Sequence, residues 1–491
     1  IVTTPTAYGV GVLNSIKPAQ SFGEELVTNG NFATDSDWTK EGAWTISGGV
    51  ASVISSTNDR LYQSISLEAD KKYLLSINVV SISAASVRFR FGSNGSAANL
   101  PEITTPGIHT FTSKPLGGTS SVGIFAVSGT TATIDSVSVV EVTDADFDFT
   151  RTSSATRVNP DYLIETVATD IPRLDYTNGT ASILLENQST NLVTYSENFS
   201  DSSWTKSNIE LLTLTSDIAP NGTNNSVYNF KGNDSNLFNS SQSANVEYTI
   251  SFYVKSNGNG KDNFKLRLGS GFSEFTATNE WVRYSYKATP TSQVFGISSN
   301  GIDSDVLIWG AQLEALSYAT SYIPTSGQSG GVTRAAETLN NAGNSDLINS
   351  TEGVLYAEIS ALADDNTDRR IFLSDGTMNN YVAIGYSRFT GNIIAEMISG
   401  GVLQTLSFGA TGVTQTNYNK FAFSWGSGTM KFYVNGTQTN TESVTSPTGL
   451  NVLEFNTAVD TLFMYSRCKT VAVFKEALSD TELACLTSTN N

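Results

Sequence analysis

Leu26-Val-Thr-Asn-Gly-Asn-Phe32 leads to Trp38-Thr-Lys40, and Leu192-Val-Thr-Tyr-Ser-Glu-Asn-Phe199 leads to Trp204-Thr-Lys206. One stretch is written twice, and the echo continues in order. Tyr73-Leu-Leu-Ser-Ile-Asn-Val79 answers Tyr248-Thr-Ile-Ser-Phe-Tyr-Val254, and Ser86-Val-Arg-Phe-Arg-Phe-Gly92 answers Asn263-Phe-Lys-Leu-Arg-Leu-Gly269. Asp135-Ser-Val-Ser-Val139 aligns with Asp305-Val-Leu-Ile-Trp309. The offset stays at roughly 170 residues, with the drift that loop insertions produce between duplicated domains. A chain that displays surfaces gains contact area and avidity from such repetition, whereas catalysis seldom needs two degenerate copies.

Composition sets the class. A chain of 491 residues exceeds a single core, so two to four domains are expected. Only 15% of residues are charged, yet the net charge is −18. That field repels phosphate backbones and anionic lipid surfaces, so no nucleic-acid partner is expected. Short Val/Ile/Phe/Tyr runs between Asn, Ser, Thr and Gly turns read as all-β. No apolar run is long enough to span a membrane, and membrane insertion is not expected. The chain opens on Ile1, which implies processing or trimming. Cys468 and Cys485 exclude a disulfide framework, leave room for one bridge that the chain does not need, and read as two buried thiols of a chain made in a reducing cytoplasm.

Residues 1–24 read as an N-terminal docking arm, punctuated by Gly9, Gly11, Pro18 and Gly23. Residues 25–143 and 191–325 each have the size of one antiparallel sandwich. Leu75, Ile77 and Val79 alternate with Ser76 and Asn78, and Val87, Phe89 and Phe91 with Arg88 and Arg90. Ile134, Val137 and Val139 supply the last strand of the first copy. In the second, Ile250, Phe252 and Val254, then Phe264, Leu266 and Leu268, fill the core. The connector 144–190 has strand-like pieces too short to fold alone, so they are expected to pair with a neighbouring edge. Residues 326–345 read as a flexible linker because of Ser326-Gly-Gln-Ser-Gly-Gly331. Residues 346–491 form a different domain: Phe421, Phe423 and Trp425 share a face, as do Met430, Phe432 and Val434, before an Asn435-Gly436 hairpin turn. Ser479-Asp-Thr-Glu482 is a capping box that starts a helix.

The residues that could carry chemistry are few. His109 is the only histidine and no nucleophile-elbow sequence accompanies it, so the chain is expected not to be an enzyme. Arg88 and Arg90 correspond to Lys265 and Arg267, on strands whose other face is core. Such cations are candidates to grip an acidic glycan, with Trp44 and Trp281 stacking on sugar rings; the alternative is a solvated strand face. Asp364, Asp365 and Asp368 crowd one loop and are candidate calcium ligands, the alternative being a solvated turn.

The two copies resemble carbohydrate-binding modules of the galactose-binding-like jelly-roll kind, through Val27-Thr-Asn-Gly-Asn-Phe32 with its following tryptophan and the strand around Asp135. The resemblance implies a structural calcium between the opening turn and the closing Asp, although Ala33 and Ser200 stand where an acid is common. Arg151-Thr-Ser-Ser-Ala-Thr-Arg-Val-Asn159, Pro172-Arg-Leu-Asp-Tyr176, Leu184-Leu-Glu-Asn-Gln-Ser-Thr-Asn-Leu192, Tyr195-Ser-Glu-Asn-Phe199, Trp309-Gly-Ala-Gln-Leu-Glu314, Tyr318-Ala-Thr-Ser-Tyr-Ile-Pro-Thr325 and Val332-Thr-Arg-Ala-Ala336 resemble segments of bacteriophage tail and virion fibre proteins. Residues 346–491 are similar to laminin-G/concanavalin-like sandwiches, on Glu352-Gly-Val-Leu-Tyr-Ala-Glu358, Phe432-Tyr-Val-Asn-Gly436 and Val473-Phe-Lys-Glu-Ala-Leu-Ser-Asp-Thr-Glu-Leu483. The expectation is an all-β virion structural protein with tandem jelly rolls and a C-terminal sandwich. It would bind a host surface glycan or receptor alongside other virion proteins, as a homotrimer joined through residues 1–24 and the connector's Phe147, Phe149 and Ile183. A purely architectural component and a polysaccharide-degrading tailspike remain as alternatives.

Overall fold

The computed structural model describes residues 21–68, 71–91, 98–113, 115, 121–143, 147–240, 243–388, 393–408, 413–457 and 463–489. Most of the expected docking arm, with Val10 and Val12, lies outside them. The chain divides into two compact units, one ending at Asp144 and one running from Ala145 onward. No helix among the described residues is long and apolar enough to cross a membrane.

The first unit is a jelly roll of two facing sheets. One runs Thr45–Ser47, Val50–Ile54, Thr131–Thr143, Lys72–Ser83 and Gly107–Ser113, with Ser21–Glu25 added along Thr131–Thr143. The other runs Thr39–Glu41, Asp59–Ser64, Ser121–Ala126, Val87–Phe91 and Ala98–Ile103. The second copy repeats this strand for strand. Its sheets run Leu211–Leu214, Tyr228–Gly232, Ser304–Glu314, Tyr248–Ser256, Val282–Ala288 and Thr205–Ser207, Asn236–Asn239, Phe295–Ser298, Asn263–Leu268, Gly271–Thr276. Leu75, Ile77, Val79 and Phe89 in one copy, and Ile250, Phe252, Val254 and Phe264 in the other, are buried as their alternation demands.

The twice-written opening has one structural job in both copies. The Trp38 indole N–H donates to the Asn29 carbonyl at 3.1 Å, and Trp204 donates to Tyr195 at 2.9 Å. Phe32 and Phe199 pack on these rings at 5.4 and 5.3 Å. Asn31 and Asn198 each accept from the N–H two residues on, and the Tyr73 and Tyr248 hydroxyls each accept from the backbone N–H five residues earlier. The repeated residues therefore pin the entering chain to the core; they are not surface display.

Register corrects one alignment. Val79 pairs with Ile134 and Val254 with Ile308, so Thr131, not Asp135, occupies the place of Asp305. Asp135 instead sits at the β-bulge that interrupts its pairing with Lys72–Ser83. The misalignment arose because a shift of four residues, being even, leaves the alternation of buried and exposed positions unchanged.

The second unit continues into a two-sheet sandwich. Its larger sheet runs Arg173–Asp175, Ser182–Leu185, Ser466–Phe474, Gly353–Ala361, Asn419–Gly426, Thr429–Val434 and Thr437–Ser443. The smaller runs Val402–Phe408, Ile393–Ser399, Tyr381–Tyr386, Arg369–Ser374 and Val452–Glu454. Phe421, Phe423, Trp425, Met430 and Phe432 fill the space between. Asn435 and Gly436 take φ of 49° and 85°, closing the two-residue turn between Val434 and Thr437. Both arms of the capping box form, and the helix Asp480–Thr487 lays Leu483 against Val354, Tyr356 and Tyr433.

The connector is a strap. Ser182–Leu185 pairs with Ser466–Phe474 in the terminal sandwich, while Ile164 packs with Leu307, Trp309 and Tyr322 on the outer face of the second jelly roll. That cover explains why every residue of Ser304–Glu314 is buried. Phe147, Phe149 and Ile183, expected at an oligomer contact, pack on the terminal core of their own chain instead. The Gly-rich linker is likewise structural. A Cβ on Gly331 would lie 2.1 Å from the Asn191 carbonyl, and Ser326 bridges Tyr195. Gly327 and Gly331 permit close approach to Tyr195 and Asn191.

Cys468 is buried and Cys485 exposed, both as free thiols, so only one of the two expected buried thiols is found. Burial pushes the Cys468 thiol up to about 12. A thiol reagent is expected to modify Cys485 alone in the native protein and both residues in denaturant. Two fast equivalents without denaturant would contradict this burial.

Candidate functional site

The blocks that resemble fibre segments converge. Arg151, Arg173 and Arg334 alternate with Glu337 and Glu186 in one buried chain of charge. Arg151 Nη1 lies 2.8 Å from Glu337 Oε1, Arg173 Nη2 lies 2.9 Å from Glu186 Oε2, and Arg334 Nη1 lies 3.3 Å from Glu186 Oε2. Arg173 also forks onto Glu337 through Nε and Nη2 and donates to the Thr156 carbonyl. The Ser321 N–H and hydroxyl donate to Glu186 at 2.7 and 2.6 Å. Burial opposes ionisation of Glu186, but Arg334, Arg173 and the Ser321 donors hold it well below the usual carboxylate range. Nearby, the buried Glu314 accepts from the Ser189 hydroxyl and the Thr320 N–H. This cluster joins the strap, the second jelly roll and the residues before the terminal sandwich. It is structural, because its charges face one another and are closed to solvent.

The duplicated cations are engaged within their sheets. Arg88 pairs across strands with Glu102, and Lys265 lies 3.7 Å from its cross-strand neighbour Glu274. The Arg90 guanidinium lies 4.0 Å over Phe125, and Arg267 lies 5.4 Å from Phe272. Arg90 and Arg267 each stand opposite a glycine, Gly123 and Gly296. The two pairs correspond in space, but acids and rings of the same sheets already occupy them. Trp44 is 4% exposed and belongs to the first core, so it offers no ring to a sugar. Trp281 is half-buried, with its indole N–H on the Ile218 carbonyl at 2.9 Å.

The acidic loop does not fit a calcium site. Asp365 accepts from Arg369 at 2.7 Å and from the Ser317 hydroxyl at 2.8 Å. Asp368 accepts from the Arg388 N–H at 2.6 Å and pairs with Arg370, while Asp364 is exposed. Among the described residues no three acidic, histidine or cysteine side chains converge as a metal site. Asp305 is held by amides: Asn229 and Asn257 donate to Oδ1 and Asn259 to Oδ2, at 2.7–2.8 Å. Asp135 Oδ1 is a single buried acceptor without a partner. His109 is half-exposed, its Nε2 against the Thr105 carbonyl at 2.9 Å.

An open pocket of about 360 Å³ lies on the second jelly roll, a size within the usual range of small-ligand sites. Tyr195, Glu197 and Asn198 come from the opening turn, Asn225 and Tyr228 from the approach to Tyr228–Gly232, and Gln328 from the Gly-rich segment. Glu197 is the one charged residue of its lining. The Tyr322 hydroxyl donates to Glu197 Oε1 at 2.9 Å, and the Ser196 hydroxyl lies 2.7 Å from the same tyrosine oxygen. Burial raises the Glu197 carboxyl above its ordinary value, against the Tyr322 and Trp309 contacts. Asn198 Oδ1 is taken by the Ser200 N–H, the Ser200 hydroxyl and Tyr228, so its N–H groups are its remaining polar edge. None of these residues was a candidate ligand in the sequence, although Tyr195, Glu197 and Asn198 lie in the repeated opening. One signal was there: Leu192–Phe199 is one residue longer than Leu26–Phe32, and Glu197 is the extra residue.

No family model matches the sequence, and no curated protein matches it. Among solved structures, the chain is similar to the CBM40 module of a Ruminococcus gnavus IT-sialidase, bound to α2,3-sialyllactose (16% identity, 28% of this chain and 84% of that one, TM-score 0.25). It is also similar to a heptameric SAP-like pentraxin from Limulus polyphemus (12% identity, 30% and 73%, TM-score 0.24). The N-terminal CBM22 tandem of Xyn10C from Paenibacillus barcinonensis covers most of this length (11% identity, 64% and 98%, TM-score 0.20). The described residues form an all-β chain of jelly-roll and sandwich folds, and its structural neighbours include carbohydrate-binding modules.

Proposed function

We propose that this chain is a non-catalytic, glycan-binding structural protein of a phage tail or capsid fibre. The observation that carries the reading is the open pocket of polar groups, with the Tyr195 ring, on the second jelly roll. The arginines and glutamates of the neighbouring fibre-like blocks are engaged with one another in a buried joint, which suits a structural component. Binding without cleavage is favoured by the pocket's chemistry: glycoside hydrolysis uses two facing carboxyl groups, and Glu197 is the only one in the lining. The virion location and a homotrimeric state are parts of this reading that rest on the sequence resemblance.

The test incubates the full chain with polysaccharide purified from bacterial surfaces. Retention on the polysaccharide with no release of new reducing ends is expected. Sustained release would replace the adhesin reading with the tailspike alternative, and immunogold labelling of particles would decide the virion location. Light scattering that returned a monomer at micromolar concentration would remove the trimer.

A further inference from the structure

We infer that the pocket of the second jelly roll selects uncharged saccharides and rejects acidic ones, with Glu197 as the residue that sets this preference. The inference rests on the glycan-binding reading and deepens it. Apart from Glu197, the lining residues are neutral, and no lysine or arginine is among them. Sugar hydroxyls both donate and accept, so they match a lining of amides, hydroxyls and one carboxyl acceptor. A carboxylate accepting from adjacent hydroxyls makes charge-assisted hydrogen bonds, which are stronger than neutral ones. Tyr195, half-buried at the lining, supplies aromatic surface for the apolar face of a ring. A sialic or uronic acid would instead bring a second negative charge against Glu197, within a chain of net charge −18. Electrostatics thus reverses the preference that the duplicated cations suggested, since those cations are paired within their own sheets.

The two copies provide an internal contrast. Gly30 accepts from the Val137 N–H at 2.8 Å, and Ser196 accepts from the Ala311 N–H at 2.8 Å, so these residues correspond. Residue 197 then has no counterpart in the first copy. The second copy keeps the Trp, Phe and Asn contacts of the shared turn and adds a carboxyl facing a cavity. The Tyr322 hydroxyl holds that carboxyl through Oε1 at 2.9 Å.

The experiment is saturation-transfer NMR on the full chain with N,N′-diacetylchitobiose, maltotriose and lactose as neutral probes and sialyllactose as the acidic one. At least one neutral probe is expected to bind, and sialyllactose to bind at least tenfold more weakly than lactose. Glu197→Ala and Asn198→Ala should each weaken the neutral probe by about tenfold, the loss of one good hydrogen bond. Glu197→Gln should keep most neutral binding and narrow the gap to sialyllactose, a shift that mere damage to the turn would not produce. Unchanged melting temperatures certify the fold of each variant. If neutral probes bind and the Glu197 and Asn198 variants bind equally well, the pocket assignment is wrong while glycan binding stands. If sialyllactose is the tighter ligand, the charge preference is wrong. If neither these probes nor bacterial polysaccharide is bound, the glycan reading itself falls.

Discussion

Replacing Glu337 with Ala is expected to lower the melting temperature of the unit from residue 145 onward by about 5–15 °C and to leave the first jelly roll unchanged. Glu337 Oε1 serves both Arg151 and Arg173, and Oε2 serves Arg173 and the Glu186 N–H at 2.9 Å. All three side chains are closed to solvent. Removing one member of a buried pair costs about 3–5 kcal/mol, because the guanidinium charge left behind can neither be discharged cheaply nor reach water. The double variant Arg173→Met/Glu337→Leu should recover part of the loss, since it removes charge of both signs. Hydrogen exchange followed peptide by peptide would read the effect. If Glu337→Ala protected the strap peptides as the parent does, the joint would not be what holds them.

The same joint sets a pH dependence. Glu186 ionises below its unfolded value of 4.5, so its contribution is fully present above that pH and is lost as pH falls through the folded value. The melting temperature of this unit should be flat from neutral pH down to about 5 and decline below about 4.5. A decline already beginning at pH 6 would point to groups outside the joint.

Trp204→Ala should be the most damaging single change within the second jelly roll. The ring is 1% exposed and touches Phe199, Phe252 and Phe295 at 5.3–6.1 Å. Truncation removes that burial, leaves a cavity and orphans the Tyr195 carbonyl, for about 3–5 kcal/mol in all. Since Tyr195 lines the pocket, saccharide binding should fail at temperatures where the rest of the unit is still folded. Trp204→Phe keeps most of the packing and should cost far less. Trp38→Ala should produce a comparable loss confined to the first unit, where Trp38 packs on Phe32. Equal loss of exchange protection in both units from either variant would contradict the separation of the two copies.

Much of the fold was legible because strand alternation is local. Ile250-Ser-Phe-Tyr-Val254 states its buried face in five residues, and Asn435-Gly436 states its turn in two. The duplication was legible because both copies must solve the same entry problem with the same Asn, Phe and Trp. Asp135 was misplaced because a shift of four residues preserves strand alternation, and Trp44 because a lone tryptophan just before a short strand does not declare its side. The linker at 326–331 was misread because glycines needed for close approach have the same composition as glycines that give freedom.

The candidate site was far less legible, for a physical reason. By itself the sequence determined the all-β class, the tandem copies, the turns and the terminal helix, since each depends on residues within a few positions. Only the tertiary structure decided which charges face water. Arg151, Arg173, Glu186, Arg334 and Glu337 are spread over nearly the whole strap and linker, yet they neutralise one another in one dry joint. Arg88 and Lys265 point outward by alternation but are met by Glu102 and Glu274. Glu197, an unremarkable acid in the sequence, is the carboxyl left facing a cavity. Charge is a long-range property whose meaning depends on its partners, and partners are assigned by the fold.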